Sequence, residues 1–169
     1  MIPFSQRFLN KKESWAGLPA PEDKDMDEKF AHLRLENQLC FPLYACAKEI
    51  VRRYKPLLDP LDLTYTQYIA MMVLWEEKEL TVKELGDRLW LDSGTLTPVL
   101  KKLEGKGYLS RRRSDSDERS VVLALTEAGK ALREQAAGVP GEVGCCVHLT
   151  PEEAGQLYAL LYKALDGLR

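Results

Sequence analysis

Four cysteines, Cys40, Cys46, Cys145 and Cys146, are the residues of this chain best suited to reversible chemistry. Cys40 and Tyr44 are four residues apart, so one helix places them on one face. A tyrosine hydroxyl that donates to sulfur favours the thiolate, and its ring supplies an apolar wall. The ordinary alternative is a helical cysteine acting as a small buried hydrophobe. Pro42, between them, lacks a backbone donor and crowds the carbonyl of Gln38. The helix therefore either kinks at Pro42 or begins there, and a start would place Cys40 at a positive helix terminus. Cys46 lies on another face, about 9 Å along the axis from Cys40, too far for a bridge, and reads as packing. Cys145 and Cys146 fall in an irregular stretch after Pro140. With His148 they could hold a metal, but their crowded spacing forms no recognisable zinc pair, so neither a metal nor a cofactor is expected. The other histidine, His32, has no obvious partner.

The rest of the chain must position these groups. Its 169 residues, 45% of them hydrophobic, suit one domain, alone or with helical arms, and leave no room for a second catalytic domain. Residues 1–29 contain no apolar run of signal-peptide length, and no stretch is long enough to span a bilayer. A cytoplasmic protein with no membrane partner is expected, and in that reducing compartment four cysteines do not form a structural disulfide framework. Residues 1–29, rich in Lys, Glu, Asp and Pro, read as a mobile or loosely docked arm.

Helical periodicity begins near Phe30 and should end by Tyr54, before Pro56; a second apolar helix covers residues 66–76. From 81 to 126 the order of elements is that of a winged helix-turn-helix. Thr81 and Glu84 form a capping box, with Val82, Leu85 and Leu89 on one apolar face. Trp90, Leu91 and Asp92 make the turn, and Asp92 or Ser93 caps a second helix that buries Leu96, Val99, Leu100 and Leu103. Gly105 and Gly107 stop it. Pro98 should cost little because it falls near the first turn. Ser93, Thr95, Thr97 and Lys101 occupy the other side, short hydroxyls and a lysine suited to a major groove.

Two strands, 109–113 and 120–125, should enclose a polar loop, 114–118, that projects as a wing. Arg111, Arg112, Arg113 and Arg119 flank it, and an arginine at a wing tip suits a narrow minor groove. From Lys101 to Arg119 seven basic residues meet four acidic ones, a local charge of +3 that leaves −5 elsewhere given the net −2. An acidic chain thus carries a basic face. Charged hairpins also occur as plain solvated surfaces or protein-docking modules; the wing and the charge together favour DNA.

Thr126 and Glu127 open a further helix that Gly138, Pro140 and Gly141 should interrupt. Thr150, Pro151 and Glu153 then start the last one. Its Leu157, Leu160, Leu161, Ala164, Leu165 and Leu168 form a stripe that a small DNA-binding core cannot cover, so a second subunit should. The expected fold is mainly α with a small β-hairpin wing: a DNA-binding part over residues 66–126 within a dimeric domain over 30–169, with dimerisation helices at 30–55 and 127–169.

Four stretches carry a family resemblance. Asp117-Glu118-Arg119-Ser120, leading to Leu125-Thr126-Glu127-Ala128-Gly129, resembles the wing signature of the MarR family of dimeric bacterial regulators. Leu35-Glu36-Asn37-Gln38-Leu39-Cys40-Phe41 with Tyr44, then Leu63-Thr64-Tyr65-Thr66-Gln67-Tyr68, then Leu91-Asp92-Ser93-Gly94-Thr95-Leu96-Thr97-Pro98 resemble its organic-hydroperoxide-sensing, OhrR-like branch. The resemblance implies a peroxide-reactive Cys40 held near Tyr44, Tyr54 and Tyr65, the last two presented by the partner subunit. It also implies, for a subset of the branch, a resolving cysteine on the other subunit, for which Cys145 and then Cys146 are the candidates.

The resulting expectation is a homodimeric repressor, not an enzyme, bound to an inverted-repeat double-stranded DNA operator and released when an organic hydroperoxide oxidises Cys40. Two rivals remain: a MarR-like repressor sensing a small aromatic ligand in the dimer crevice, and a thiol peroxidase, which would leave the wing unexplained.

Overall fold

Helix starts set the element order. In the computed structural model, which describes residues 28–77, 79–114 and 120–168, Thr64, Thr81 and Thr150 each close a capping box, with Gln67, Glu84 and Glu153 respectively. Asp92 and Thr126 accept from the backbone N–H of Thr95 and Gly129. Each cap satisfies N–H groups that have no partner within the helix. The elements that follow are α1 (Cys40–Leu58), α2 (Tyr65–Glu76), β1 (Glu79–Thr81), α3 (Val82–Leu89), α4 (Ser93–Gly105), β2 (Leu109–Arg113), β3 (Val121–Leu125), α5 (Glu127–Ala136), α6 (Val139–Gly144) and α7 (Pro151–Asp166). The expected N-terminal arm lies, apart from its last two residues, outside the described residues, as do the wing-tip residues 115–119.

The chain divides into two units, residues 1–49 and 50–169. In the first, short 3-10 turns, Glu28–Leu33 and Leu35–Asn37, precede α1, so the helix expected from Phe30 starts ten residues later. Gln38 breaks the path: it is extended (φ −100, ψ 113), and its Nε2 donates to the carbonyl of His32 at 2.6 Å. At its other end α1 runs through Pro56 to Leu58, past the expected stop. Pro56 falls in the last turn and, lacking an N–H, makes no helical hydrogen bond to the carbonyl one turn earlier.

In the second unit, Leu58, Met71, Leu74, Leu85, Leu96, Leu100, Leu103, Leu109 and Leu123 are almost fully buried and form one core. The sheet has three antiparallel strands in the order β1-β3-β2, one more than the expected hairpin, with Leu80 and Arg111 both paired to Leu123. Pro98 is the sixth residue of α4, beyond the first turn, so it does remove a helical hydrogen bond, the one otherwise made to Gly94. Thr97, its neighbour, donates through Oγ1 to the Ser93 carbonyl at 2.6 Å.

Gly129 joins α5 to the sheet. A Cβ there would stand 1.9 Å from the carbonyl oxygen of Tyr108, and the Thr126 N–H donates to that same oxygen at 3.2 Å. Trp75 Nε1 donates to the Gly129 carbonyl at 2.8 Å, locking α2 to the same place. Gly129→Ala must push α5 off the sheet, and a urea titration is expected to show a loss of about 3 kcal/mol. An unchanged midpoint would contradict this packing.

Apolar side chains are left uncovered in both units. In α7 none of the described residues is buried, and Leu157, Tyr158, Leu160, Leu161 and Tyr162 are exposed. In the first unit Phe30, Leu33, Leu35, Leu39, Phe41 and Leu43 are exposed as well. No helix among the described residues is long and apolar enough to cross a membrane.

Candidate DNA interface and cysteine site

The helix-turn-helix is α3, a turn, and α4. Trp90 ends α3 in the left-handed conformation (φ 57, ψ 38), and the Leu91 N–H donates back to the Gly86 carbonyl at 3.0 Å. Asp92 then caps α4, accepting from the Thr95 N–H at 2.9 Å and from its hydroxyl at 2.8 Å. Ser93, Thr95, Thr97 and Lys101 are all exposed on α4. Thr95 and Thr97 already spend their hydroxyl protons within the helix. Their exposed sides therefore present oxygen lone pairs and methyl groups first.

Alternation along β2 separates its arginines. Arg111 turns to α4, where its Nε donates to Glu104 Oε2 at 2.8 Å and the Arg111 guanidinium holds the Glu104 carboxyl below the usual carboxylate range. Arg111, expected from sequence at the DNA, is here paired with Glu104 and links β2 to α4. Arg112 donates to Glu79 at 2.8 Å, across the sheet on β1. Arg113 is exposed at the loop end of the hairpin, paired with Val121, and Arg119 lies outside the described residues.

Cys40 is the first residue of α1, which resolves the two readings of Pro42: the helix begins there rather than kinking. As the third residue of α1, Pro42 lacks an N–H that would have had no partner in the helix anyway. Cys40 is exposed, at the end of the helix where an anion is stabilised. Tyr44 follows one turn later, 63% exposed, with Lys48 Nζ 6.0 Å from its ring centroid. Cys46, expected to pack, is also exposed, because α1 buries only Leu58 within this chain.

Tyr54 and Tyr65, the other two sensor tyrosines named from sequence, pack against each other with ring centroids 4.9 Å apart and planes tilted by 56°. Tyr54 also lies 5.8 Å from Tyr68, which is buried and meets Trp75 at 6.3 Å. Burial, and then the neighbouring Tyr54, push the Tyr65 hydroxyl above its ordinary pKa. It therefore stays protonated at neutral pH and remains a hydrogen-bond donor. Tyr68 and Trp75 were not picked out as part of this aromatic group, although their i, i+3 and i, i+7 spacing from Tyr65 and Tyr68 shows it.

Cys145 follows α6 directly as its C-cap and Cys146 comes next in the turn; both are exposed. The Cys146 thiol lies 3.6 Å from the Glu142 carbonyl, its acceptor. The stretch expected to be irregular after Pro140 is therefore helical up to Gly144. Among the described residues no group of three or more His, Cys, Asp and Glu is placed to hold a metal ion.

Capped helix-turn-helix, β-wing and flanking helices define a winged-helix transcriptional regulator. Residues 52–135 match the family described as "Transcriptional regulator SarA/Rot". An organic hydroperoxide resistance transcriptional regulator of Bacillus subtilis is 50% identical over 143 residues, spanning 85% of this chain and 97% of its own. Overoxidised AbfR bound to DNA, a protein of Staphylococcus epidermidis, superposes with a TM-score of 0.67 at 35% identity, over 83% of this chain and 99% of its own. The disulfide-formed structure of AbfR gives 0.58 at 34%, over 83% and 96%. The chain belongs to the MarR family, in its organic hydroperoxide resistance branch, and is a regulator rather than an enzyme.

Proposed function

We propose that this chain is a cytoplasmic homodimeric repressor that holds an inverted-repeat operator while Cys40 is reduced and releases it once an organic hydroperoxide has oxidised Cys40. The observation that carries this reading is the placement of Cys40: exposed, first in α1, with Tyr44 one turn on. Tyr54 and Tyr65 of the partner subunit complete the pocket, donating hydroxyl protons to the sulfur and offering rings to the organic tail of the peroxide. The exposed faces of α7 and of the first unit, apolar in each case, are what the second subunit covers.

Chemically, the Cys40 thiolate attacks the distal peroxide oxygen, the O–O bond breaks, and the alkoxide leaves with a proton as the alcohol. The sulfenic acid then loses water to the thiol of Cys145 of the partner subunit, or of its neighbour Cys146, or to a small thiol, forming a disulfide. The structures of AbfR show that protein bound to DNA both reduced and overoxidised, and separately in a disulfide form. We therefore assign release to the disulfide. A covalent tie between subunits changes the separation of the two α4 helices, and half-sites about one DNA turn apart, ~34 Å, tolerate little mismatch.

On the DNA side, Ser93, Thr95, Thr97 and Lys101 enter the major groove while Arg113 and Arg119 reach the minor groove and its phosphates. Arg119→Ala is expected to weaken operator binding and lower the slope of log K against log salt by about one. Equal affinity at moderate salt would mean that the wing tip points elsewhere.

The test of the redox reading is a non-reducing gel. Hydroperoxide should give a covalent dimer whose peptide map contains a Cys40–Cys145 or Cys40–Cys146 bond. Oxidised protein that stays monomeric, with only a small-thiol adduct on Cys40, would refute the resolving-cysteine step.

A further inference from the structure

Lys106 closes α4 at the point where the chain turns toward the wing, and its side chain is only 24% exposed. Its Nζ donates to the carbonyl of Asp62 and lies 3.0 Å from the Asp62 carboxylate and 3.5 Å from Gln67 Oε1. Each of these partners is itself constrained. Asp62 sits at φ 52, ψ 44, a left-handed conformation that aspartate and asparagine adopt more readily than most residues, and it closes the turn before α2. Gln67 is 2% exposed, a polar side chain inside the core. Its Oε1 also accepts from the Thr64 N–H at 3.0 Å, and its own N–H donates to Thr64 Oγ1 at 3.3 Å. That capping box opens α2 at Tyr65, the tyrosine packed against Tyr54. One ammonium therefore ties the start of the tyrosine-bearing helix to the end of the DNA-reading helix, whose Lys102 carbonyl accepts from the Lys106 N–H at 3.0 Å.

We propose that Lys106 is a positioning residue that couples the sensing tyrosines to the recognition helix, through the joint it makes with Asp62 and Gln67. The proposal rests on the reading of Cys40 and the partner tyrosines as the sensor. Its physical basis is that hydrogen bonds from an ammonium are stronger than neutral ones, and the part-buried Lys106 makes them to both Asp62 and Gln67. A shift of the first turn of α2 therefore either carries Lys106, and with it the end of α4, or breaks the joint outright. The first alternative moves the recognition helix relative to the half-site; the second leaves it in place and uncouples the two helices.

The test measures operator Kd for reduced and hydroperoxide-oxidised dimer, with Cys40 oxidation followed by mass spectrometry on the same samples. In Lys106→Met, Cys40 should oxidise as fully as in the parent, while the ratio of oxidised to reduced Kd falls at least tenfold. The salt slope of the reduced form should not change, because Lys106 is spent on Asp62 rather than on a phosphate, and Lys106→Arg should restore the ratio. A Lys106→Met protein that keeps the parent ratio overturns the proposal; so does a fall in ratio accompanied by a salt slope lower by about one, the mark of a lost phosphate contact. Should Lys106→Met not fold, Asp62→Asn, which tolerates the left-handed backbone but removes the charge partner, must show the same fall, and its keeping the full ratio is equally fatal. Failure of the sensor reading has a different signature, a parent that releases DNA without Cys40 oxidation or not at all, and that result removes this proposal with it.

Discussion

Cys40→Ser is expected to fold, dimerise and bind the operator within about threefold of the parent, a difference below ~0.7 kcal/mol, and to stay bound at hydroperoxide concentrations that strip the parent from DNA. Serine keeps the size of the side chain at the first position of α1, and a hydroxyl there suits the helix start at least as well as a thiol. What it lacks is a sulfur that can accept the peroxide oxygen. Competition binding with and without an alkyl hydroperoxide checks this, and equal release of both proteins would remove Cys40 from the switch.

Replacing Cys145 and Cys146 together by serine is expected to have an effect as large but opposite in chemistry. Cys40 should still reach the sulfenic acid, and with no added small thiol it should continue to the sulfinic and sulfonic acids. Because release is assigned to the disulfide, this overoxidised protein should remain on the operator, whereas Cys145→Ser alone should release slowly through the adjacent Cys146, which is equally exposed. Intact-mass spectra and binding isotherms of the same samples check both halves; release by the double variant at full overoxidation would transfer the switch to the Cys40 oxyacid itself.

The legible parts of the fold were those written in local periods. The Thr81–Glu84 and Thr150–Glu153 boxes, the Asp92 cap and β2 at Leu109–Arg113 stand where the sequence puts them, since caps and amphipathic faces are properties of a few neighbouring residues. Elements made by distant partners were not legible. Strand β1 is three residues long with only Leu80 buried, and it exists because it pairs with β3 about forty residues later. Pro56 inside α1 and Pro98 well inside α4 ran against proline's local preference, and both stand on exposed faces of their helices.

Cys40, Tyr44, Tyr54 and Tyr65 could be named from the sequence as candidates for the site, but their settings could not. The choice that Pro42 left open was decided by Gln38, whose side chain folds back on His32 and fixes where α1 begins. Arg111 looked like its neighbours in a basic run until the pleat of β2 set it against Glu104. Lys106 reaches Asp62 and Gln67 across about forty residues of chain, a relation that no window along the sequence contains.

The most direct measurement titrates the reduced protein on labelled operator with an organic hydroperoxide, and on every sample records both the fraction of DNA released and the fraction of Cys40 in disulfide. The two curves should coincide across the titration, with the sulfenic acid appearing only transiently ahead of them. Release that is complete while Cys40 is still a thiol, or operator still bound when the Cys40 disulfide is complete, would contradict the account.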